Sequence, residues 1–299
     1  MSKSSVDAPA KVNLGLEVLG RRADGFHEIR SVLAMISLRD TLAFDEGGSS
    51  EDVVHIHSEV GEIPSGPNLV YSALAVLREA GIEIPPQIVS IQKRIPIAAG
   101  LGGASSDAAA TLRHFGARAS APKTQLMSMA ASLGSDVPFF LGHPFALVSG
   151  RGEILTALPQ PSNGNWVVTV TPHLRIPAKT ATMYATIKSE WWSSGDRVES
   201  FAAGFPCLSE DVPANIFSGA LFSLFPELAD TRDVLTNIGF TAVHVTGAGP
   251  TMYGVCGSRS EAGELARCVR VHVPTVCVRA SQLGYAPIAP PLASEPLTP

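Results

Sequence analysis

The chain has 299 residues, of which 45% are hydrophobic and 16% charged, with a formal net charge of −5. That balance fits an ordered globular protein with a sizeable core and excludes extended disorder, while the acidic excess excludes a nucleic-acid binder that works through a basic face. The length exceeds the usual single-domain range, so two domains are expected, with one large domain as the alternative.

The N-terminal segment MSKSSVDAPAKVNLG lacks the apolar stretch of a signal peptide, and no apolar run reaches the roughly 18 residues of a membrane span. A cytoplasmic protein without a membrane partner is expected. Lys11 to Val18 and Glu28 to Leu42 read as strands, separated by a turn at RRADGFH. A third strand covers Val53 to His57; alternation puts His55 and His57 on one face, read as exposed because no third metal ligand is near. Asn68 caps a helix with apolar positions Leu69, Val70, Ala73, Leu74 and Leu77, which Gly81 stops.

Gln87 to Ile95 has strand periodicity, and helical residues resume at about Ser106 to Phe115. Pro122 suits the first turn of a helix carrying Leu126, Met129, Ala130 and Leu133, ended by Gly134, and a strand follows at Ala146 to Ser149. The polar stretch Pro159 to Asn165 reads as a domain connection, which divides the chain into residues 1–160 and 161–285. The second half holds a strand at Trp166 to Thr171, strands in TAVHVTG and TMYGVC, a helix from about Ser260 to Arg270 and a strand in PTVCVRA, an α+β order. Residues 286–299 are proline-rich and are expected to be a disordered tail. The four cysteines, Cys207, Cys256, Cys268 and Cys277, have no metal-ligand spacing and read as reduced core thiols.

The strongest chemical signal is PIAAGLGGASSDAAATL, with glycines at 100, 102 and 103 where a strand enters a helix. Glycines let the backbone turn and approach a ligand closely, and the helix N-terminus supplies N–H donors and a positive dipole end, an anion site that needs no lysine. The spacing matches neither the G-K-[ST] ending of a P-loop nor the G-x-G-x-x-G of a dinucleotide fold. A turn that merely packs small residues against a helix is the plain alternative.

Three motifs in order, Pro9 to Leu14, Pro96 to Ser106 with Ala104 inserted, and Thr246-Gly247-Ala248-Gly249-Pro250-Thr251, resemble those of the GHMP kinase superfamily. Within it, APAKVNLGLEVLGRRADGFHEIRSV and LGSDVPFFL are similar to the branch that phosphorylates the 2-hydroxyl of a cytidylyl-linked methylerythritol in the non-mevalonate route to isoprenoid precursors. The resemblance implies an α+β, two-domain GHMP kinase fold: an N-terminal ribosomal-S5-like α/β domain, a C-terminal ferredoxin-like α/β domain and an active site in the cleft between them. It implies ATP and Mg²⁺, a small-molecule cytidylyl substrate, and a monomer or weak homodimer.

Carried over residue by residue, the resemblance makes Asp136 and Lys11 the catalytic pair, a carboxylate to orient the hydroxyl and take its proton beside an ammonium that keeps it ionised. In isolation Asp136 reads as a cap ahead of Val137-Pro138, and Lys11 as a solvated strand lysine. Nucleotide contacts fall to Pro96, Ile97, Ala98, Ala99, Gly100, Leu101, Gly102, Gly103, Ala104, Ser105 and Ser106, joined by Asn68 and Leu69 near the adenine, although capping explains Asn68 equally well. Ser105 and Ser106 can bind phosphate or offer a hydroxyl to Mg²⁺, and both also make ordinary caps; Asp107 is expected in the first helical turn. His27 is expected to hydrogen-bond cytosine, and Phe26 and Tyr184 to hold the ring between them, with Thr180 and Asn13 completing the acceptor site. Phe26 stands where the family commonly has tyrosine. Two other readings stay open: a GHMP kinase for another alcohol, and an inactive nucleotide-binding scaffold.

Overall fold

The computed structural model describes residues 4–46, 50–62, 68–161, 164–206 and 211–287. Strands β1 (Ser4–Arg21) and β2 (His27–Glu46) form a long antiparallel ribbon running from the pair Ser4 and Phe44 to the pair Arg21 and His27, with register shifts at Pro9/Ala10, Leu14/Leu16 and Val18/Gly20. The ribbon outruns the strands expected from sequence because it is covered on both faces: every residue from Ala8 to Val18 is buried. Strand alternation then sorts the side chains, so that Ala10, Val12 and Leu14 join one apolar cluster while Lys11 and Asn13 point the other way, toward a cleft.

The opposite edge of β2 carries β4 (Gln87–Lys93) on its C-terminal half and β5 (Phe145–Ser149) on its N-terminal half. β3 (Val53–Ser58) lies parallel to β4, and α1 (Leu69–Glu79) makes the crossover between them; β6 (Ile154–Ala157), which no sequence pattern announced, closes the far edge. Asn68 caps α1 by accepting from Val70 N at 2.9 Å, as its sequence position suggests. Helices α2 (Gly103–Arg118) and α3 (Lys123–Leu133) pack with α1 over a core that includes Leu74, Leu77, Leu112, Phe115 and Leu126. α2 begins at Gly103, three residues before the expected start, and Pro122 is the N-cap of α3 rather than a residue of its first turn.

The second sheet is antiparallel throughout, in the order β10 (Val276–Gln282), β7 (Trp166–Pro172), β9 (Met252–Cys256), β8 (His244–Val245). Around it lie α4 (Lys179–Thr186), α6 (Phe217–Leu224), α7 (Pro226–Asn237) and α8 (Arg259–His272), the last capped by Ser258, while α5 (Asp196–Ala203) packs against β1 and β2. A third apolar cluster joins the two sheets, bringing Val12, Leu14 and Ile36 together with Val167 and Tyr253. Tyr253 is fully buried there and donates its hydroxyl to Asn13 O at 2.7 Å, tying β9 to β1. His55 and His57 are exposed, Cys256 is buried and free, and Cys268 and Cys277 are half-buried and free; Cys207 and residues 288–299 lie outside the described residues.

Candidate active site

Between β4 and α2 the chain forms a loop that holds Ala98, Gly100 and Gly102 at φ of +54°, +85° and +75°. A Cβ on Gly100 would run into the Thr246 carbonyl and stand 3.0 Å from Gly249 O; on Gly102 it would meet Phe140 Cζ at 2.8 Å and Lys11 Cγ at 3.0 Å. Backbone conformation and space therefore both demand glycine at these positions. Residues 95–105 of this loop and helix start, with Asn68 and Leu69 opposite, line a cleft of about 780 Å³.

Ser106 departs from expectation: it is 1% exposed, does not line the cleft, and its Oγ has no partner among the described residues. Because α2 starts early, Asp107 stands in its second turn, where Oδ2 accepts from Lys93 Nζ at 2.8 Å. Lys93 also meets Asp40 at 2.5 Å, and Asp40 Oδ1 accepts from the N–H groups of Arg94 and Ile95 at 2.6 and 2.9 Å. This buried triad fixes the strand end from which the glycine loop springs. Burial, opposed by the Lys93 ammonium and reinforced by Asp40, pushes the Asp107 carboxyl up to about 7, and its Oδ1 has no hydrogen-bond partner among the described residues.

A second cleft of about 690 Å³ opens on the other side of the loop. Lys11 Nζ donates to Asn13 Oδ1 at 2.6 Å and lies 3.8 Å from Asp136 Oδ2. Asp136 precedes the single 3₁₀ turn Pro138–Leu141, whose N-cap is Val137 and which has no side-chain cap, so the carboxylate is not spent on capping and is 39% exposed. Burial holds the Lys11 ammonium below its ordinary pKa, and Asp136 draws it back up. Asn13 turns out to be a structural hub: its Oδ1 also accepts from Gly247 N at 2.9 Å, and its Nδ2 donates to Ser31 Oγ at 2.8 Å, which in turn donates to Gly15 O.

At the far end of this cleft the Tyr184 ring stacks on His27, with centroids 4.8 Å apart and planes 20° from parallel, and Arg151 sets its guanidinium 4.9 Å from the Phe26 centroid. The geometry thus sets Tyr184 against His27 in a cleft that Phe26 also lines. Burial and then Arg21 hold the His27 imidazole below its ordinary pKa, so at neutral pH it offers one donor and one acceptor. Tyr184 is pushed up to about 12 by burial and by Asp136, and serves as a neutral ring. The two clefts share a wall made of Gly100, Gly102 and Ser105 on one side and Lys179, Thr180 and Ala181 on the other.

The GHMP kinases N terminal domain matches residues 68–143, and the GHMP kinases C terminal domain matches residues 206–274. The 4-diphosphocytidyl-2-C-methyl-D-erythritol kinase of Dehalococcoides mccartyi is 38% identical over 265 residues, 86% of this chain and 91% of its own length. The enzyme of the same name from Symbiobacterium thermophilum is 36% identical over 275 residues, covering 89% and 95%.

The chain belongs to the 4-diphosphocytidyl-2-C-methyl-D-erythritol kinase family.

A crystal structure of 4-(cytidine 5'-diphospho)-2C-methyl-D-erythritol kinase superposes with a TM-score of 0.79 at 34% identity, covering 94% of this chain and 100% of that one. The chain is accordingly a kinase with the two-domain GHMP fold. In this diphosphocytidyl-methylerythritol kinase family member the geometry brings Lys11, Asp136, Phe26, His27, Thr180 and Tyr184 to one cleft and the glycine loop to the next. No motif marks Lys179 or Arg151; Thr246, which opens the third motif, accepts from Asn13 N on its hydroxyl at 3.0 Å. The one local sign of Lys179 is a lone lysine in the otherwise uncharged run Ile176 to Ile187.

Proposed function

We propose that this chain transfers the γ-phosphoryl group of ATP to the 2-hydroxyl of 4-diphosphocytidyl-2-C-methyl-D-erythritol, in the non-mevalonate isoprenoid pathway. The observation that carries the reading is the Lys11–Asp136 pair, placed in the acceptor cleft next to the wall shared with the glycine-loop cleft. The new bond joins the acceptor oxygen to Pγ as the bond from Pγ to the bridging oxygen breaks; its electron pair leaves with ADP, and the hydroxyl proton goes to the Asp136 carboxylate. The Lys11 ammonium, 3.8 Å from that carboxylate, screens negative charge on the moving phosphoryl group. Asn13 contributes by holding the Lys11 ammonium, since its amide oxygen is already engaged inside the protein.

The loop from Pro96 to Ser105 takes the phosphates on backbone N–H groups, and Asn68 and Leu69 line the adenine end. His27 reads the cytosine edge, while Phe26, Tyr184 and Thr180 border the base and its ribose. The residues present also suit Mg²⁺: Asp107 lines the nucleotide cleft, and its Oδ1, without a hydrogen-bond partner among the described residues, is the kind of hard donor that ion takes. Bound with the nucleotide, Mg²⁺ would neutralise phosphate charge. Among the described residues no helix is long and apolar enough to cross a membrane. The acidic net charge gives no support to a nucleic-acid partner.

The test is to incubate the protein with ATP, Mg²⁺ and the cytidylyl substrate and to look by mass spectrometry for a product heavier by one phosphoryl group. Product that disappears with Asp136→Asn supports substrate and residue together. Absence of product while ATP still binds removes the substrate assignment.

A further inference from the structure

Lys179 stands where the two clefts meet, and we propose that it is a catalytic residue, the cation that holds the transferred phosphoryl group as it passes from nucleotide to acceptor. The inference rests on the kinase reading above and adds a group to it. Of the six residues common to both cleft walls, Lys179 is the charged one. Its Nζ donates to Ala98 O in the glycine loop at 2.7 Å and to Gly249 O in the late glycine turn. An ammonium has three donors, and two neutral carbonyls are weaker acceptors than the oxygens of a phosphate.

The need for such a cation follows from the loop itself. From Ile95 to Ser106 there is no lysine or arginine, so the backbone there offers only neutral N–H donors to the phosphates. A P-loop carries its lysine within the loop; here the charge must come from another segment. Lys11 is committed to the acceptor side, bonded to Asn13 and beside Asp136. Lys179 reaches the loop from the first residue of α4, and lies within reach of charge that spreads over the equatorial oxygens in a loose transition state.

The groups that face Lys179 are Lys11 from β1 and Asp136 from the turn before Pro138, with Lys93 and Asp107 paired to each other across the nucleotide cleft. Burial, then Lys11, lower the Lys179 ammonium to about 7, with Asp136 opposing. A triphosphate placed against it favours the protonated form, so nucleotide binding near neutral pH takes up a proton.

The test combines turnover with calorimetric titration of a non-hydrolysable ATP analogue and Mg²⁺ in two buffers of different ionisation enthalpy, for wild type, Lys179→Met and Lys179→Arg. Expected are a fall in kcat of about 10²-fold or more for Lys179→Met, an acceptor KM changed by no more than about threefold, partial turnover in Lys179→Arg, and proton uptake in the wild type alone. Turnover of folded Lys179→Met within about threefold of wild type overturns the proposal, as does equal proton uptake in wild type and variant. Should Lys179→Met fail to fold, Lys179→Arg binding without proton uptake supports the proposal, and unchanged uptake refutes it. If wild type makes no product from the cytidylyl substrate, the substrate reading fails while proton uptake on nucleotide binding still decides the role of Lys179.

Discussion

The two clefts are built on different plans. The nucleotide cleft is walled by consecutive backbone, residues 95–105, whose shape depends on φ values and on the absence of side chains. The acceptor cleft is assembled from side chains on separate segments: Lys11 on β1, Phe26 and His27 at the ribbon turn, Asp136 after α3, Arg151 after β5 and Tyr184 on α4. A site made of backbone is hard to alter one residue at a time without breaking the loop. A site made of dispersed side chains can lose one contact and keep its form, so specificity can change there at small cost in stability.

The sharpest test of that contrast is at the reacting pair. Asp136→Asn and Lys11→Met should each cut kcat by at least ~10²-fold, and steady-state kinetics beside an unchanged melting curve for Asp136→Asn would show a loss of chemistry alone. Next in size, Gly100→Ala should weaken ATP binding about tenfold and lower the melting temperature together, because its Cβ meets two carbonyls and its φ disfavours alanine. Normal ATP affinity in a titration of that variant would break the account of a loop with no room to give. His27→Ala should raise KM for the cytidylyl substrate by about tenfold and leave KM for ATP unchanged, the order of one lost hydrogen bond to a buried ligand; Arg151→Ala should have a smaller effect of the same kind, and equal shifts in both KM values would dissolve the division of labour between the clefts.

The smallest effect belongs to the buried triad under the nucleotide loop. Asp107 has a folded-state pKa raised from 3.8 to about 7, so its contribution to stability is complete below 3.8 and is lost as the pH rises through about 7. Thermal unfolding between about pH 4 and pH 8 should show the midpoint declining in the wild type and a flatter profile in Asp107→Asn.

The same contrast explains what could be read from the sequence. The nucleotide loop is contiguous, and its glycines are forced by local sterics, so it was visible as a string. Asn68 as a cap, the strand expected over Gln87 to Ile95 and found over Gln87–Lys93, and helix α8 were legible because capping and periodicity are local too. Helices α4, α5 and α6 have eight residues each, too few turns for a periodic signal, and the region they occupy showed no elements. Lys179 and Arg151 owe their places to that tertiary arrangement. Asn13 lay in a recognisable motif, yet its partners Gly247 and Ser31 come from distant segments, so its inward-facing bonds could not be inferred. Asp107 was misplaced by one turn because a left-handed Gly102 let the helix start at Gly103.

Gly100 also has a meaning for folding. A Cβ there would strike the carbonyls of Thr246 and Gly249, and Thr251 N donates to Ala99 O at 3.4 Å, so the nucleotide loop of the first sheet is shaped by a turn more than 140 residues later. Chain halves expressed separately would each lack part of the mould, and neither should bind nucleotide. The intact chain should melt in one cooperative transition, with the phosphate cradle among the last features to become native, since it waits for contacts of large sequence separation.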